Sequence, residues 1–116
     1  MTQKPLHYET LSEVAAKIAQ GDLDSVQVTQ ALLALIGTLE PKLHAYITVM
    51  GEQAMERAIA ADALRDQGKA LCVLHGVPIA VKDLCHKRGF PTTGGHSFRK
   101  DLISDSDATV VARLEA

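Results

Sequence analysis

The sequence predicts an α/β fold, and three observations carry that prediction. Apolar residues recur at helical spacing over two stretches before residue 42 and again over residues 52 to 67. Two other stretches, "LHAYITVM" at residues 43 to 50 and "VLHGVPIAVKDL" at 73 to 84, carry the β-branched residues and alternation of strands. A last helical pattern then runs to Ala116 without Gly, Asn or Pro as a stop signal, so the chain reads as the front portion of a larger α/β domain. Residues 1–42 are expected to form a helical lead-in, and residues 43–116 the start of the α/β core of one domain.

Each element has its own local reason. "TLSE" at Thr10 to Glu13 fits a capping box, in which the Thr10 hydroxyl accepts from the Glu13 amide and Glu13 reaches back. Leu11, Val14, Ala15, Ile18 and Ala19 make the apolar face of the helix that follows, and Gly21 stops it. A second helix starts near Ser25, with Val28, Leu32, Leu35, Ile36 and Leu39 as its stripe. Pro41 is expected to end it, because a residue before proline is biased out of the helical region. Strand 43–50 comes next, then an Ala-rich helix from Glu52 to Gln67 closed by Gly68. The second strand leads into a polar, Gly-rich loop at residues 86 to 101. A final helix opens at Asp107, whose side chain is expected to cap it, with Val110, Val111 and Leu114 on the buried face.

Composition sets the outer bounds. The chain has 116 residues, 47% hydrophobic and 22% charged, which suits a globular domain and carries too much apolar content for a disordered tail. Aromatic residues make up 3%, so the core must rest on Ala, Val, Leu and Ile. A net charge of −2 and no run of Lys and Arg argue against direct nucleic-acid binding. No span is long and apolar enough for a membrane helix, and the amino end lacks a signal peptide's apolar stretch, so a cytoplasmic protein is expected. Cys72 and Cys85 are expected to be free thiols. Metal binding by Cys72 with His75, or by Cys85 with His86, is weighed and set aside, since those spacings on a strand point to opposite faces.

The chemistry concentrates at "GVPIAVKDL", where a strand ends on Lys82 and Asp83. The carboxyl end of a strand in an α/β sheet is where such folds place their ligands, and a desolvated lysine can accept a proton from a hydroxyl nucleophile. Asp83 either stabilises the ammonium or, because strand neighbours diverge, fixes the loop backbone instead. The residues alone also fit a bland alternative, in which the pair marks the solvated end of a strand.

"GVPIAVKDL", then "GFPTTGGHS", then "DATVVARL" resemble the amidase signature family, with its Gly-x-Pro-x-x-x-Lys-Asp strand, Gly-x-x-Thr-Thr-x-Gly-Ser loop and Asp-Ala helix. The three blocks span about residues 76 to 114 in order, and the preceding helices are similar to the family's amino-terminal helices. The resemblance implies an α/β/α fold with a mixed sheet, preceded by amino-terminal helices. It also implies cleavage of a carboxamide C–N bond by a Ser-cis-Ser-Lys triad without a cofactor, with the base falling on Lys82.

The family's two serines lie in a Gly- and Ser-rich segment beyond the Asp-Ala helix, and no "GSS" or "GGS" occurs in these residues. Ser97 and Ser104 match neither, so the chain by itself is expected to be inactive. His96 stands where the family pattern places Ser, which leaves its role in the loop open. Thr92, Thr93, Gly94 and Gly95 are expected to shape that loop. The implied partner is a small amide substrate, and a second copy of the chain or a companion subunit is left open. Two alternatives stand beside the amidase reading: the family's subunit of a tRNA-dependent amidotransferase, which works on misacylated tRNA, and a non-catalytic binding or assembly module. Nothing in the chain reads tRNA directly.

Overall fold

The computed structural model describes residues 4–116. The chain divides between Pro78 and Ile79 into two compact units.

The first unit is helical. After a 3₁₀ turn at Leu6–Tyr8, helix α1 spans Leu11–Gln20, α2 spans Ser25–Leu43 and α3 spans Gly51–Asp66. The capping box forms as the sequence predicts: Glu13 N–H donates to the Thr10 hydroxyl at 3.2 Å, and Thr10 N–H donates to Glu13 Oε2 at 2.6 Å. Gly21 ends α1 in the left-handed region at φ 80°, with its N–H on the Ile18 carbonyl and the Asp22 N–H on the Lys17 carbonyl, so these two of the last four carbonyls are satisfied. Val14, Ile18 and Val28 form the buried core, and Leu6, Leu23, Leu32 and Val77 pack against it. Leu11, on the predicted face, stays exposed.

Helix α2 runs past Pro41, correcting the expectation that it ends there. Proline cannot donate a backbone hydrogen bond, but later residues still complete a turn, and His44 closes the helix with φ 49° and its N–H on Glu40 at 3.0 Å. Helix α2 packs against α3. Asp62 on α3 reaches the start of α2, accepting from Ser25 N–H at 2.8 Å and Val26 N–H at 3.0 Å, two donors that a helix start leaves without internal partners. Arg65, one turn later, holds Asp62 at 3.3 Å, Asp24 at 2.9 Å and the Leu23 carbonyl at 3.1 Å.

The predicted strand at 43–50 does not form. Residues 43–49 are exposed, and the Tyr46 N–H donates to Glu40 Oε1 at 3.0 Å instead of to a neighbouring strand. β-Propensity describes how well a residue fits a sheet, and without a paired backbone it produces none. The stretch from 73 to 84 departs in the same way. Turns close it at His75 on Cys72 and at Val77 on Leu74, and Gly76 takes φ 78°. Among the described residues there is no strand, so the mixed sheet is not observed; pairing is limited to two isolated bridges, Arg88 with Ser104 and Pro91 with Ile103.

Those bridges organise the second unit. Gly89 N–H donates to the Ser104 carbonyl at 2.9 Å, and Ser104 N–H to the Phe90 carbonyl at 3.0 Å, so the segment expected as loop is partly paired. Helix α4 spans Thr109–Glu115 and buries Val111, while Val110 and Leu114 are half exposed, against expectation. Asp107 does not cap it. Its carboxylate accepts instead from Arg88 N–H at 2.7 Å and Lys87 Nζ at 3.1 Å, which ties the approach to α4 to the bridged segment.

Candidate functional site

Lys82 and Asp83 lie in the second unit, and the chain turns between them and Cys85. Cys85 N–H donates to the Lys82 carbonyl at 2.8 Å, closing that turn. The two neighbouring side chains then have different fates. Lys82 is exposed, and among the described residues its side chain makes no hydrogen bond or ion pair. Asp83 is half-buried, and both of its carboxylate oxygens accept hydrogen bonds.

Its partner is the loop at Thr93–Gly95. Thr93 N–H donates to Asp83 Oδ1 at 2.7 Å, the Thr93 hydroxyl donates to Asp83 Oδ2, and Gly95 N–H reaches the same oxygen at 3.3 Å. Gly94 N–H adds a bond to the Asp83 carbonyl at 2.9 Å. Such convergence needs a backbone that turns successive N–H groups toward one point. Gly94 at φ 57° and Gly95 at φ 76° supply it, in a region that side chains resist. The Thr93 hydroxyl and N–H hold the Asp83 carboxyl below the usual carboxylate range, against an opposing effect of burial. Of the two readings the sequence left for Asp83, the structure realises the one in which it fixes the loop.

Beside this clamp runs a chain of polar side chains. Thr92 Oγ1 and Ser104 Oγ lie 2.9 Å apart, both buried, and Ser104 Oγ is 3.0 Å from His86 Nδ1. Ser104 is thus a buried link holding the two bridged segments together. The contacts span 12 and 18 residues of sequence, and no local pattern announces them. Ser97 opens an exposed 3₁₀ turn, Ser97–Arg99, and His96 precedes it with its ring 5.3 Å from that of Phe98.

The residues weighed as metal ligands are engaged otherwise or stand apart. In the first unit, His75 accepts from Leu71 N–H at 3.3 Å on Nδ1, so its Nε2 carries the proton and donates to the Ala61 carbonyl at 2.9 Å. Cys72 and Cys85 are free, and among the described residues no three His, Cys, Asp or Glu side chains gather into a ligand set. Among the described residues, no helix is long and apolar enough to cross a membrane.

A family model described as Amidase matches residues 27–116. The chain is 46% identical over 107 residues to a glutamyl-tRNA(Gln) amidotransferase subunit of Streptomyces coelicolor, covering 92% of this chain and 22% of that protein. It is 47% identical over 106 residues to the amidase-named AmiD of Mycobacterium bovis, covering 91% and 22%. The chain therefore spans about a fifth of the length of these curated relatives. A solved chain, from work on a vestigial protein complex and the evolutionary origins of an s-triazine catabolic enzyme, superposes with a TM-score of 0.87 at 31% identity. That match covers 92% of this chain and 24% of the other.

Proposed function

The chain belongs to the amidase family, and from that premise we propose that the intact protein hydrolyses a carboxamide C–N bond with Lys82 as its base. The observation that carries the reading is the Lys82–Asp83 pair itself. An unpaired, exposed lysine side chain stands beside a carboxylate that a Thr-Gly-Gly loop has already taken up.

The chemistry divides as follows. A nucleophilic serine hydroxyl, in the segment that the family places downstream, bonds to the amide carbonyl carbon while its proton passes through the bridging serine to neutral Lys82. The tetrahedral intermediate collapses by breaking the C–N bond, and the proton held by Lys82 returns along the same path to the departing nitrogen. Water then attacks the acyl-enzyme carbonyl, giving up one proton to the relay, and the relay passes that proton to the serine oxygen as its bond to the acyl carbon breaks. The sum is amide plus water to carboxylic acid plus ammonia or amine. Lys82 serves both as base and as acid, which poor nitrogen leaving groups require. Cytoplasmic location and a single amidase domain, of which these residues are the front portion, belong to the same reading.

The test uses the full reading frame that carries these residues, assayed for ammonia release from a panel of primary carboxamides. Lys82→Ala is expected to lower kcat about 10²–10⁴-fold. An unchanged kcat would overturn the assignment. A second reading is nitrogen transfer to misacylated tRNA together with companion subunits, favoured by the 46% identity to the Streptomyces coelicolor amidotransferase subunit. It predicts activity that appears only when the companion subunits and the tRNA are added.

A further inference from the structure

We propose that Asp83 is a positioning residue for Lys82: the Thr93–Gly95 loop takes up its carboxylate and so withholds it from the neighbouring ammonium. The functional use of this device rests on the reading of Lys82 as a base, while the device itself stands on the geometry of the second unit.

A carboxylate next to a lysine favours the protonated amine, which opposes any role as proton acceptor. The sequence sets that conflict by placing the two side by side. The fold eases it by turning the Asp83 carboxylate, still charged, onto the loop and out of a contact pair with Lys82. An ionised carboxylate offers about four lone-pair sites. Three are taken, by Thr93 N–H at 2.7 Å, by the Thr93 hydroxyl and by Gly95 N–H at 3.3 Å. The main chain is held as well, with the Lys82 carbonyl on Cys85 N–H and the Asp83 carbonyl on Gly94 N–H. Asp83 is therefore anchored through both backbone and side chain on the loop side, and Lys82 has no ion pair among the described residues. Thr93 supplies two of the three donors, so it is the residue on which the withholding depends.

The test is acetylation of Lys82 by acetic anhydride in the 116-residue chain, followed by mass spectrometry across a range of pH, since only the neutral amine reacts. Thr93→Val removes the hydroxyl donor and leaves Oδ2 only the longer contact from Gly95 N–H, so that this oxygen can turn toward Lys82. The midpoint of the Lys82 reactivity curve is expected to rise by about 0.5–1 pH unit. Adding Asp83→Asn to Thr93→Val should return it to the starting position, and Thr93→Ser, which keeps the hydroxyl, should leave it there. A purely structural role for Thr93 has no reason to produce a shift that the second substitution reverses.

If the valine variant does not fold, a single variant still decides. Asp83→Asn in the otherwise unaltered chain should move the Lys82 midpoint by less than about 0.5 pH unit, because no contact pair is lost. A larger shift in Asp83→Asn, no shift in Thr93→Val, or no reversal in the double variant would overturn the proposal. These readouts do not use turnover. Loss of the amidase reading, shown by an unchanged kcat in Lys82→Ala, would therefore leave the withholding of Asp83 separately proved or disproved.

Discussion

The carboxylate of Asp83 receives both the N–H and the hydroxyl of Thr93, ten residues away, and this double contact fixes the loop that follows Lys82. Because these bonds are made to the ionised form, the folded carboxyl lies below its ordinary value of 3.8. The direction of linkage follows: the contact contributes its full stability above that value and loses it as pH falls through the lower folded value. In an NMR titration the Thr93 N–H resonance should hold its position through pH 3.8 and move only below it. A midpoint at or above 3.8 would mean that the contact does not favour the charged form.

Gly76 and Ser25 give a steric prediction. A Cβ on Gly76 would lie 2.0 Å from Ser25 Oγ and 3.2 Å from Ser25 Cβ, at φ 78°. Gly76→Ala should therefore destabilise the chain by about 2–4 kcal/mol in chemical denaturation, combining backbone strain with overpacking. Ser25 Oγ is buried without a hydrogen-bond partner, so Ser25→Ala alone should be neutral or stabilising. In the Gly76→Ala background it should recover about 1 kcal/mol or more by opening the space.

Asp62 caps a helix from another helix. Replacing it with Ala removes the acceptor for Ser25 and Val26 N–H, Ser25 being fully buried, and leaves Arg65 with one carboxylate fewer. The expected cost is about 1–3 kcal/mol, read from denaturation midpoints. Asp62→Asn should fall between the two, since its amide keeps one acceptor oxygen but turns a donor toward the other N–H.

Glu13 offers a second pH effect, in the first unit. The Thr10 N–H, with help from Lys4, pulls its carboxyl from 4.5 down to about 2. The capping contribution is complete above 4.5 and is lost as pH falls toward about 2, so α1 should fray over that interval. Far-UV circular dichroism should show this acid loss in the natural chain and much less of it in Glu13→Gln. Equal pH dependence in both would remove Glu13 as the source.

The helices were legible because their signals are local. Thr10 with Glu13, Gly21 and Gly68 each act within a few residues, and all three mark helix ends in the structure. A second such device went unread: Gln27 Oε1 accepts from Asp24 N–H at 3.1 Å at the start of α2. The candidate site was legible in its blocks, Lys82–Asp83 and Thr92–Gly95, but the bonds that join them were not. Strands were overread, since "LHAYITVM" has the composition of a strand and no ladder to enter.

What the sequence by itself determined is therefore the set of elements whose hydrogen bonds close within one or two turns, together with family membership carried by ordered motifs. Tertiary structure alone decided which long-range partner each polar group takes: Asp62 on the start of α2, Asp107 on Arg88 and Lys87, Ser104 between Thr92 and His86, and Asp83 on Thr93 in place of Lys82. The physical reason is that an acceptor binds whichever donors the folded chain delivers within about 3 Å, and adjacency along the backbone does not decide which those are.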